Sequence, residues 1–444
     1  MENTIKLSDH FGTGRLLRFA LPSIVMMVFT SIYGVVDGFF VSNYAGKTAL
    51  AAVNLIFPFV MILSTLGFMF GAGGSALVAK TLGEGDPARA NRLFSLFVYA
   101  SLLSGIVIAA LGILVTRPVA ALLGATGELL DNCVIYGRIL LAALPAYMLQ
   151  LEFQVFFVTA ERPKLGLYFT VGAGVTNMVL DLLLVGVFRW GLVGAALATS
   201  LSQVVGGVGP LLYFARKNSS LLRIGKTKLD IPAILRAMGN GSSELMSNVS
   251  MSLVSMLYNA QLMAYAGQDG VAAYGVMMYV NFVFISAFIG YTIGLSPIVS
   301  YHYGAENRDE LKSLCRRSIA IVLTTSAVML AAALLLARPL SILFVGYDGG
   351  LREMTERGFY LYAASYLFAG FCILTSSFFT ALNNGLISAL ISFLRTLGFQ
   401  VAAVLLLPLW LGLDGIWFSI VVAELMAALV SAILLLLFRK RYGY

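Results

Sequence analysis

Charged residues are scarce in this sequence. Asp, Glu, Lys and Arg together make up 11% of its 444 residues, whereas a soluble domain averages about 25%. Hydrophobic residues make up 59%, and the mean hydropathy is +0.91. This composition excludes a soluble protein and predicts that the chain resides in a lipid bilayer.

Cysteine and histidine are also rare. Cys133, Cys315 and Cys372 are widely spaced and match neither a disulfide framework nor a metal-binding pattern. We expect them to act as small, buried apolar residues. His10 and His302 are far apart in the sequence, which leaves no basis for a histidine-based metal or catalytic site.

The motifs of a membrane-embedded enzyme are missing as well. A prenyl transferase would need clustered carboxylates to hold Mg²⁺ and diphosphate, and a hydrolase would need a nucleophile beside a base. The sequence contains no Asp-rich motif, no Ser/His pair and no metal-spaced His/Cys set. We therefore expect no enzymatic activity and no cofactor.

Long apolar stretches dominate the chain instead. A helix needs about 20 apolar residues to cross the hydrocarbon core of a bilayer. The sequence predicts twelve such spans, numbered in chain order, near 16–41, 50–79, 94–116, 132–158, 167–187, 193–215, 237–262, 271–300, 318–337, 358–381, 386–410 and 414–438. The fold class is therefore an all-α polytopic membrane protein with twelve transmembrane helices.

The second half of the chain repeats the first at a constant offset of 221 residues. Tyr44-Ala45-Gly46 returns as Tyr265-Ala266-Gly267, and Gly83 returns as Gly304. The shared residues are mostly glycines and turn signals, which shape the backbone at the ends of spans. Six spans per half is an even number, so the two halves have the same orientation. This predicts two parallel-repeat six-helix bundles around a central cavity, a common plan among transporters.

Lys and Arg are concentrated in alternate loops, which is the positive-inside pattern. This pattern places both termini in the cytoplasm. Low cysteine use, short loops and the lack of a targeting segment fit a multi-pass protein of a bacterial or archaeal plasma (inner) membrane. The basic run 216–236 is then a cytoplasmic linker between an N-terminal bundle, 1–215, and a C-terminal bundle, 237–444. The run lacks interleaved aromatic residues, so the net charge of +8 does not indicate nucleic-acid binding. The polar N-terminus leads into the first span without a small-residue cleavage site, which predicts a retained span rather than a signal peptide.

A few ionisable residues fall inside the predicted spans. A charge at the bilayer centre costs at least about 3 kcal/mol, so each is a candidate functional residue. They are Asp37, Glu152, Asp181, Glu244, Arg395 and Glu424. The repeat partners of Asp37, Glu152 and Asp181 are the non-acidic Tyr258, Ile373 and Ala402. The asymmetry predicts an acidic site that is specific to the first half.

Asn177 and Asp181 are four residues apart in span 5, so they share one helix face. Asp37 lies in span 1, flanked by Gly34 and Gly38, and Pro22 precedes it. Because proline removes a helical hydrogen bond, Pro22 can kink span 1. A bendable helix with a titratable group suits ion coupling, although these polar residues could instead only tie helices together by hydrogen bonds.

Together these residues resemble those of the multidrug and toxic compound extrusion (MATE) family over essentially the whole chain. Prokaryotic members use an Asp on span 1, a Tyr on span 4, an Asn and an Asp one turn apart on span 5, and a Thr on span 6. This sequence supplies Asp37, Tyr136, Asn177, Asp181 and Thr199 at those places. The resemblance implies an antiporter that alternates between outward and inward openings and exports an organic compound as H⁺ or Na⁺ enters.

The identity of the coupling ion is left open by the residues. Two neighbouring carboxylates in a low dielectric must take up a proton or a cation. The oxygen atoms of Asp37, Asn177, Asp181 and Thr199 are also the ligand type that a hard cation such as Na⁺ prefers. The sequence is compatible with either ion.

Other polar residues are candidates for a substrate cavity. Glu244 is either a residue that binds a cationic substrate or a boundary residue that faces water. Some family members carry an acid on span 10 in addition to the one on span 7. Span 10 of this chain has no such acid, so the sequence does not supply a complete ion site in the second half. Gln150, Glu152 and Gln154 are candidate lining residues of span 4. Arg395 needs a partner, for which Glu424 is the candidate.

The sequence is rich in methionines and in aromatic residues such as Phe153, Tyr274 and Phe282. A cavity wall of such residues adapts to varied shapes and stacks on cationic rings, which predicts amphipathic organic cations as substrates. The alternative function is a lipid-linked oligosaccharide flippase of a related fold, which would need more Arg and Lys inside the spans to hold phosphate. We expect the protein to act as a monomer in the bilayer.

Overall fold

The computed structural model describes the backbone of residues 5–444 and, within it, all side chains except those at positions 39, 42, 43 and 47. The helices are span 1 (Thr13–Phe40), span 2 (Lys47–Met69 and Ser75–Gly83), span 3 (Pro87–Leu122), span 4 (Gly127–Ala142 and Leu144–Thr159), span 5 (Pro163–Leu180), span 6 (Gly191–Ala215), a connecting helix (Ile231–Asn240), spans 7 and 8 (together Ser242–Gly304), span 9 (Arg308–Val345), span 10 (Gly349–Ala363 and Tyr366–Ala381), span 11 (Gly385–Phe393, Phe399–Leu406 and Pro408–Leu411) and span 12 (Leu413–Tyr442). π-helical turns occur at Val41–Ala45, Phe70–Gly74, Asp181–Val187 and Leu394–Gly398.

The twelve predicted spans are confirmed, although spans 4 and 10 are bent and spans 7 and 8 are merged into one helix. Among residues 5–444, nine helices are long and apolar enough to cross a membrane, and two bent helix pairs raise the number to 11. The 63-residue helix Ser242–Gly304 breaks at Gly267, where φ is 63° and ψ is −150°. That break divides the helix into spans 7 and 8, which brings the number of spans to twelve. Span 1 continues as one helix through Pro22.

The repeat is visible in the backbone. Span 4 bends by 55° between its two helices, and span 10, its repeat partner, bends by 50°. Positive φ values recur at equivalent glycines, with 93° at Gly46 and 63° at Gly267, and 54° at Gly191 and 58° at Gly412. Only glycine adopts this conformation without steric cost, which explains why the sequence retains these residues in both halves.

Spans 2 and 8 cross at a symmetric close contact. A Cβ atom on Gly83 would lie 2.0 Å from the carbonyl oxygen of Tyr301, and one on Gly304 would lie 2.0 Å from that of Lys80. The offset of 221 residues converts one contact into the other. The two halves therefore meet about an approximate two-fold axis, and glycine is required at both positions.

The N-terminal segment joins the two halves at the end of the spans where the basic loops lie, which we call the basic end. The Leu7 N–H donates to Oε1 of Glu161 at 2.6 Å, and Glu161 lies between spans 4 and 5. The Phe11 N–H donates to Oε1 of Glu310 at 2.8 Å, and Glu310 opens span 9. Arg317 also donates to the Phe11 carbonyl. The segment is therefore anchored to both halves.

Candidate ion-coupling site and adjoining cavity

The structure brings the five residues of the predicted coupling site together in the first half. Thr199 on span 6 donates its hydroxyl to Oδ1 of Asp37 on span 1, at 3.3 Å. Asp181 and Asn177 on span 5 lie beside Asp37. Tyr136 on span 4 is buried within electrostatic range of both carboxylates. Span 1 and the consecutive spans 4, 5 and 6 thus converge on one acidic cluster.

Asp181 lies at a change in helix type. The α-helix of span 5 ends at Leu180, and the π-helical turn Asp181–Val187 begins at the acid itself. A π-helical turn widens the ring of backbone hydrogen bonds and is frequent at functional sites. Since Asn177 lies one turn earlier, the two side chains leave the helix at the point where its geometry changes.

The span 5 side chains of this cluster are buried without ordinary hydrogen-bond partners. Asp181 is 0% exposed and Asn177 is 1% exposed. Neither has a side-chain oxygen or nitrogen with a hydrogen bond of normal geometry among the described residues. None of the ion pairs found in the described chain involves Asp37 or Asp181. Because buried polar groups cost free energy unless they are paired, this arrangement favours uptake of a proton or a small cation.

Tyr33, which was not among the residues predicted from the sequence, belongs to the same cluster. Tyr33 lies one turn before Asp37 in span 1, within electrostatic range of that acid and beside the Gln150 side chain. Gly206 on span 6 permits the approach of Gln150, because a Cβ atom there would lie 2.6 Å from the Gln150 side chain. The spacing of four residues between Tyr33 and Asp37 could have predicted this, because residues four apart share one helix face.

A cavity of about 350 Å³ adjoins the second half. Span 7 contributes Glu244 and Tyr258 to its wall, and span 8 contributes Tyr274, Met278 and Phe282. Tyr258 and Tyr274 stack with ring centroids 5.3 Å apart. The wall therefore combines aromatic and thioether surfaces with a carboxylate.

Arg395 and Glu424 form a buried ion pair on this wall, which confirms the predicted partnership. Nε of Arg395 lies 2.9 Å from both carboxylate oxygens of Glu424, and Nη2 lies 2.9 Å from Oε1. Their side chains are 17% and 3% exposed. The guanidinium charge is therefore compensated inside the protein, whereas Glu244 takes part in no ion pair found among the described residues.

The three polar residues predicted as lining candidates on span 4 have a different position. Gln150, Glu152 and Gln154 are buried in the first half and are not among the residues that line the 350 Å³ cavity. Phe153 belongs to an aromatic core, where it stacks on Phe214 at 5.5 Å. These three residues are therefore inside the first half and do not line this cavity.

Comparison with known proteins identifies the family. The MatE family model matches residues 22–183 and again residues 245–405. The chain belongs to the MatE family. The two matches together cover well over half of the chain, and their spacing follows the internal repeat.

Relatives and solved structures of this family align with nearly the whole chain. It is 25% identical over 434 residues to the multidrug export protein MepA of Staphylococcus saprophyticus, a match that covers 96% of this chain and 94% of that protein. MepA of Staphylococcus aureus is 24% identical over 443 residues, with the same shares covered.

A crystal structure of MATE in complex with MaL6 superimposes with a TM-score of 0.93 at 23% identity, covering 100% of this chain and 99% of the other. An outward-facing multidrug resistance MATE family transporter gives a TM-score of 0.92 at 24% identity, covering 100% and 98%. These structural matches establish the twelve-helix fold.

Proposed function

We propose that this MatE protein is a secondary active antiporter that exports amphipathic organic cations in exchange for H⁺ or Na⁺. In this proposal it works by alternating access, as a monomer in the plasma membrane with both termini in the cytoplasm. Residues 1–215 and 237–444 act as two bundles joined by the linker 216–236. The multidrug export relatives support the direction and the breadth of transport.

The observation that carries the proposal is the uncompensated acidic cluster of Asp37 and Asp181. Two adjacent carboxylates in a low dielectric repel each other and favour binding of a proton or a cation. Asp37 belongs to span 1, which packs against both span 5 of its own half and span 8 of the other half. Binding at Asp37 can therefore alter the contact between the two halves, which is what coupling requires.

The cavity supports a cationic substrate. Glu244 supplies a carboxyl group, Tyr274 and Phe282 supply ring faces, and Met278 supplies an adaptable apolar surface. Cations bind to the faces of aromatic rings, and methionine accommodates varied shapes. The flippase alternative is less well supported, because Arg395 is already paired with Glu424 and has no free charge to hold a phosphate.

The test is export of a fluorescent organic cation measured in everted membrane vesicles. Wild type and Asp181→Asn would be compared under an imposed pH gradient and, separately, under an Na⁺ gradient at constant pH. We expect gradient-driven transport in the wild type and its loss in Asp181→Asn, because the variant cannot bind or release the coupling ion. The gradient that drives transport identifies the ion.

The matched control is Asp131→Asn, which removes an exposed carboxylate that pairs with Arg117 at 3.3 Å. We expect this variant to transport at the wild-type rate. Gradient-driven transport that persists in Asp181→Asn would remove the coupling site from the proposal. A wild type that is inactive under both gradients would contradict the antiporter itself.

A further inference from the structure

A second cavity, which shares no lining residue with the 350 Å³ cavity, lies in a groove between spans 1 and 9 at the basic end. It measures about 710 Å³. Span 1 contributes Thr13 and Leu17, and span 9 contributes Lys312, Arg316 and Arg317. Spans 1 and 9 each pack against span 8, and the groove is the gap between them. We call it the open groove.

The internal repeat supplies a comparison for the open groove. Positions 312 and 316 correspond, at the offset of 221 residues, to Asn91 and Ser95 on span 3. There the linker lies against the span. The Arg223 N–H donates to Oδ1 of Asn91 at 2.6 Å, and the Gly225 N–H donates to Oγ of Ser95 at 2.9 Å.

Further contacts fasten the linker in this equivalent groove. Asn91 donates through Nδ2 to the Leu221 carbonyl at 3.2 Å, and Thr227 donates to the Arg92 carbonyl at 2.9 Å. The Leu222 side chain is completely buried. The groove of the first half is therefore filled by polypeptide that bonds to the neutral side chains of Asn91 and Ser95.

The open groove differs in charge at the two equivalent positions. Lys312 and Arg316 are four residues apart, so they share one helix face, and Arg317 adds a third cation to the wall. Asp309, the acid in the lining, is exposed at the start of span 9. Cations stand where the filled groove has an amide and a hydroxyl, so the open groove favours an anionic occupant.

The surroundings of the open groove indicate an anion with apolar chains. Deeper along the same helices, the exposed side chains are apolar: Leu21 on span 1 is 55% exposed, and Leu323 and Val328 on span 9 are 48% and 63% exposed. The basic residues are thus near the ends of the spans, and the apolar ones are at the depth of the acyl chains. This order matches a phospholipid with its headgroup at the interface.

We propose that the open groove binds one anionic phospholipid, with its phosphate held by Lys312 and Arg316. The lipid replaces, in the second half, the linker segment that fills the equivalent groove of the first half. Because Thr13 and Leu17 belong to the first half and Lys312 and Arg316 to the second, the bound lipid bridges the two halves at the basic end.

The experiment is native mass spectrometry of the full-length protein in detergent, titrated with phosphatidylglycerol or with phosphatidylcholine. We expect phosphatidylglycerol to bind more tightly than phosphatidylcholine to the wild type. The variant Lys312→Asn/Arg316→Ser installs the residues of the filled groove. It should bind phosphatidylglycerol about thirtyfold more weakly, because each of the two basic residues near the anionic headgroup contributes about fivefold in affinity.

Two control variants separate this site from general charge attraction. Arg89→Asn/Lys228→Ser removes two exposed cations from the basic end outside the groove and should keep wild-type binding of phosphatidylglycerol. Lys312→Arg/Arg316→Lys keeps the charge and should also retain it. A third arm adds inorganic phosphate at millimolar concentration, which should not displace the lipid if the acyl chains contribute.

Several outcomes would overturn the proposal. They are equal affinity of the wild type for the two lipids, unchanged affinity in Lys312→Asn/Arg316→Ser, or an equal loss in Arg89→Asn/Lys228→Ser. Displacement of the lipid by inorganic phosphate would show that the groove recognises phosphate alone and would refute lipid recognition.

Discussion

The two halves of the protein share a backbone plan but differ in their buried charges. In the first half, Asp37 and Asp181 lie side by side without a basic partner found among the described residues. In the second half, Tyr258 replaces Asp37 and hydrogen-bonds to Ser419 at 2.7 Å, and the nearby Glu424 is paired with Arg395. The glycines and bends that shape the helices thus recur in both halves, whereas the buried charges differ.

The largest effect on stability is expected from breaking the ion pair of the second half. Arg395→Met leaves the buried Glu424 without its partner and should cost about 3–5 kcal/mol of unfolding free energy, as for other buried pairs. Asp181→Asn in the first half should cost little or even stabilise, because it removes repulsion between carboxylates. The measurement is the unfolding midpoint of each variant in detergent.

The double variant Arg395→Met/Glu424→Leu is the matching control, because replacing a whole buried pair by apolar residues is often nearly neutral. It should recover most of the stability that Arg395→Met loses. Equal losses in Arg395→Met and Asp181→Asn would contradict the difference in charge compensation between the halves.

A smaller and symmetric effect is expected at the crossing of spans 2 and 8. Gly83→Ala and Gly304→Ala each place a Cβ atom against a backbone carbonyl of the other half, which should cost about 1–3 kcal/mol by overpacking. Because the two contacts are repeat partners, their losses should match within about 0.5 kcal/mol. The same unfolding assay measures both.

Gly172→Ala is the control for these glycine variants. Gly172 is helical in span 5, and a Cβ atom there would meet no other atom within 4 Å. It should gain up to about 1 kcal/mol from helix propensity. Clearly unequal losses at Gly83 and Gly304 would show that the two-fold relation does not extend to the energetics of the interface.

The smallest effect concerns the N-terminal segment, whose anchor in the first half is Glu161. Burial raises the pKa of Glu161, and the Leu7 N–H, which donates to the carboxylate, offsets this only in part. A carboxyl with a raised pKa stabilises the docked arrangement at low pH. That stability is lost as pH rises from the ordinary value of about 4.3 through the raised pKa. The segment should therefore undock more readily as pH increases across this window.

The measurement is the maleimide labelling rate of Leu7→Cys, a buried position, divided by that of Ser8→Cys, an exposed one. The ratio removes the intrinsic effect of pH on thiol reactivity. It should rise with pH in the wild-type background and flatten in Glu161→Gln, which cannot titrate. An unchanged slope in Glu161→Gln would assign the pH dependence to another group.

Much of the architecture could be predicted from the sequence, because each signal is local. The run of apolar residues predicts each span, and paired glycines such as Gly46 and Gly267 predict the repeated turns. The choice of Arg395 and Glu424 as partners followed from the cost of leaving a buried charge alone. The roles proposed for Asp37, Asp181 and Glu244 stay predictions.

Other features depend on packing between distant segments and could not be predicted. The sequence separates His10 from His302, yet His10 Nδ1 lies 2.6 Å from Oε2 of Glu310, and His302 packs against Phe11 at 6.5 Å between ring centroids. The sequence made Gln154 and Phe153 candidates for a cavity, but both are buried in the first half and neither lines the 350 Å³ cavity. Periodicity indicates which residues share a helix face but not what that face contacts.

The membrane location, the number of spans, their two-fold repetition and the acidic residues of the first half could all be predicted from the sequence. These follow from hydrophobicity, glycine conformation and the cost of burying charge, each of which acts locally along the chain. Two features became visible only in the folded chain: Tyr33 joins the acidic cluster, and the linker fills one of two equivalent grooves while the other is open. Those outcomes depend on which helix faces meet, and that is set only when distant spans pack together.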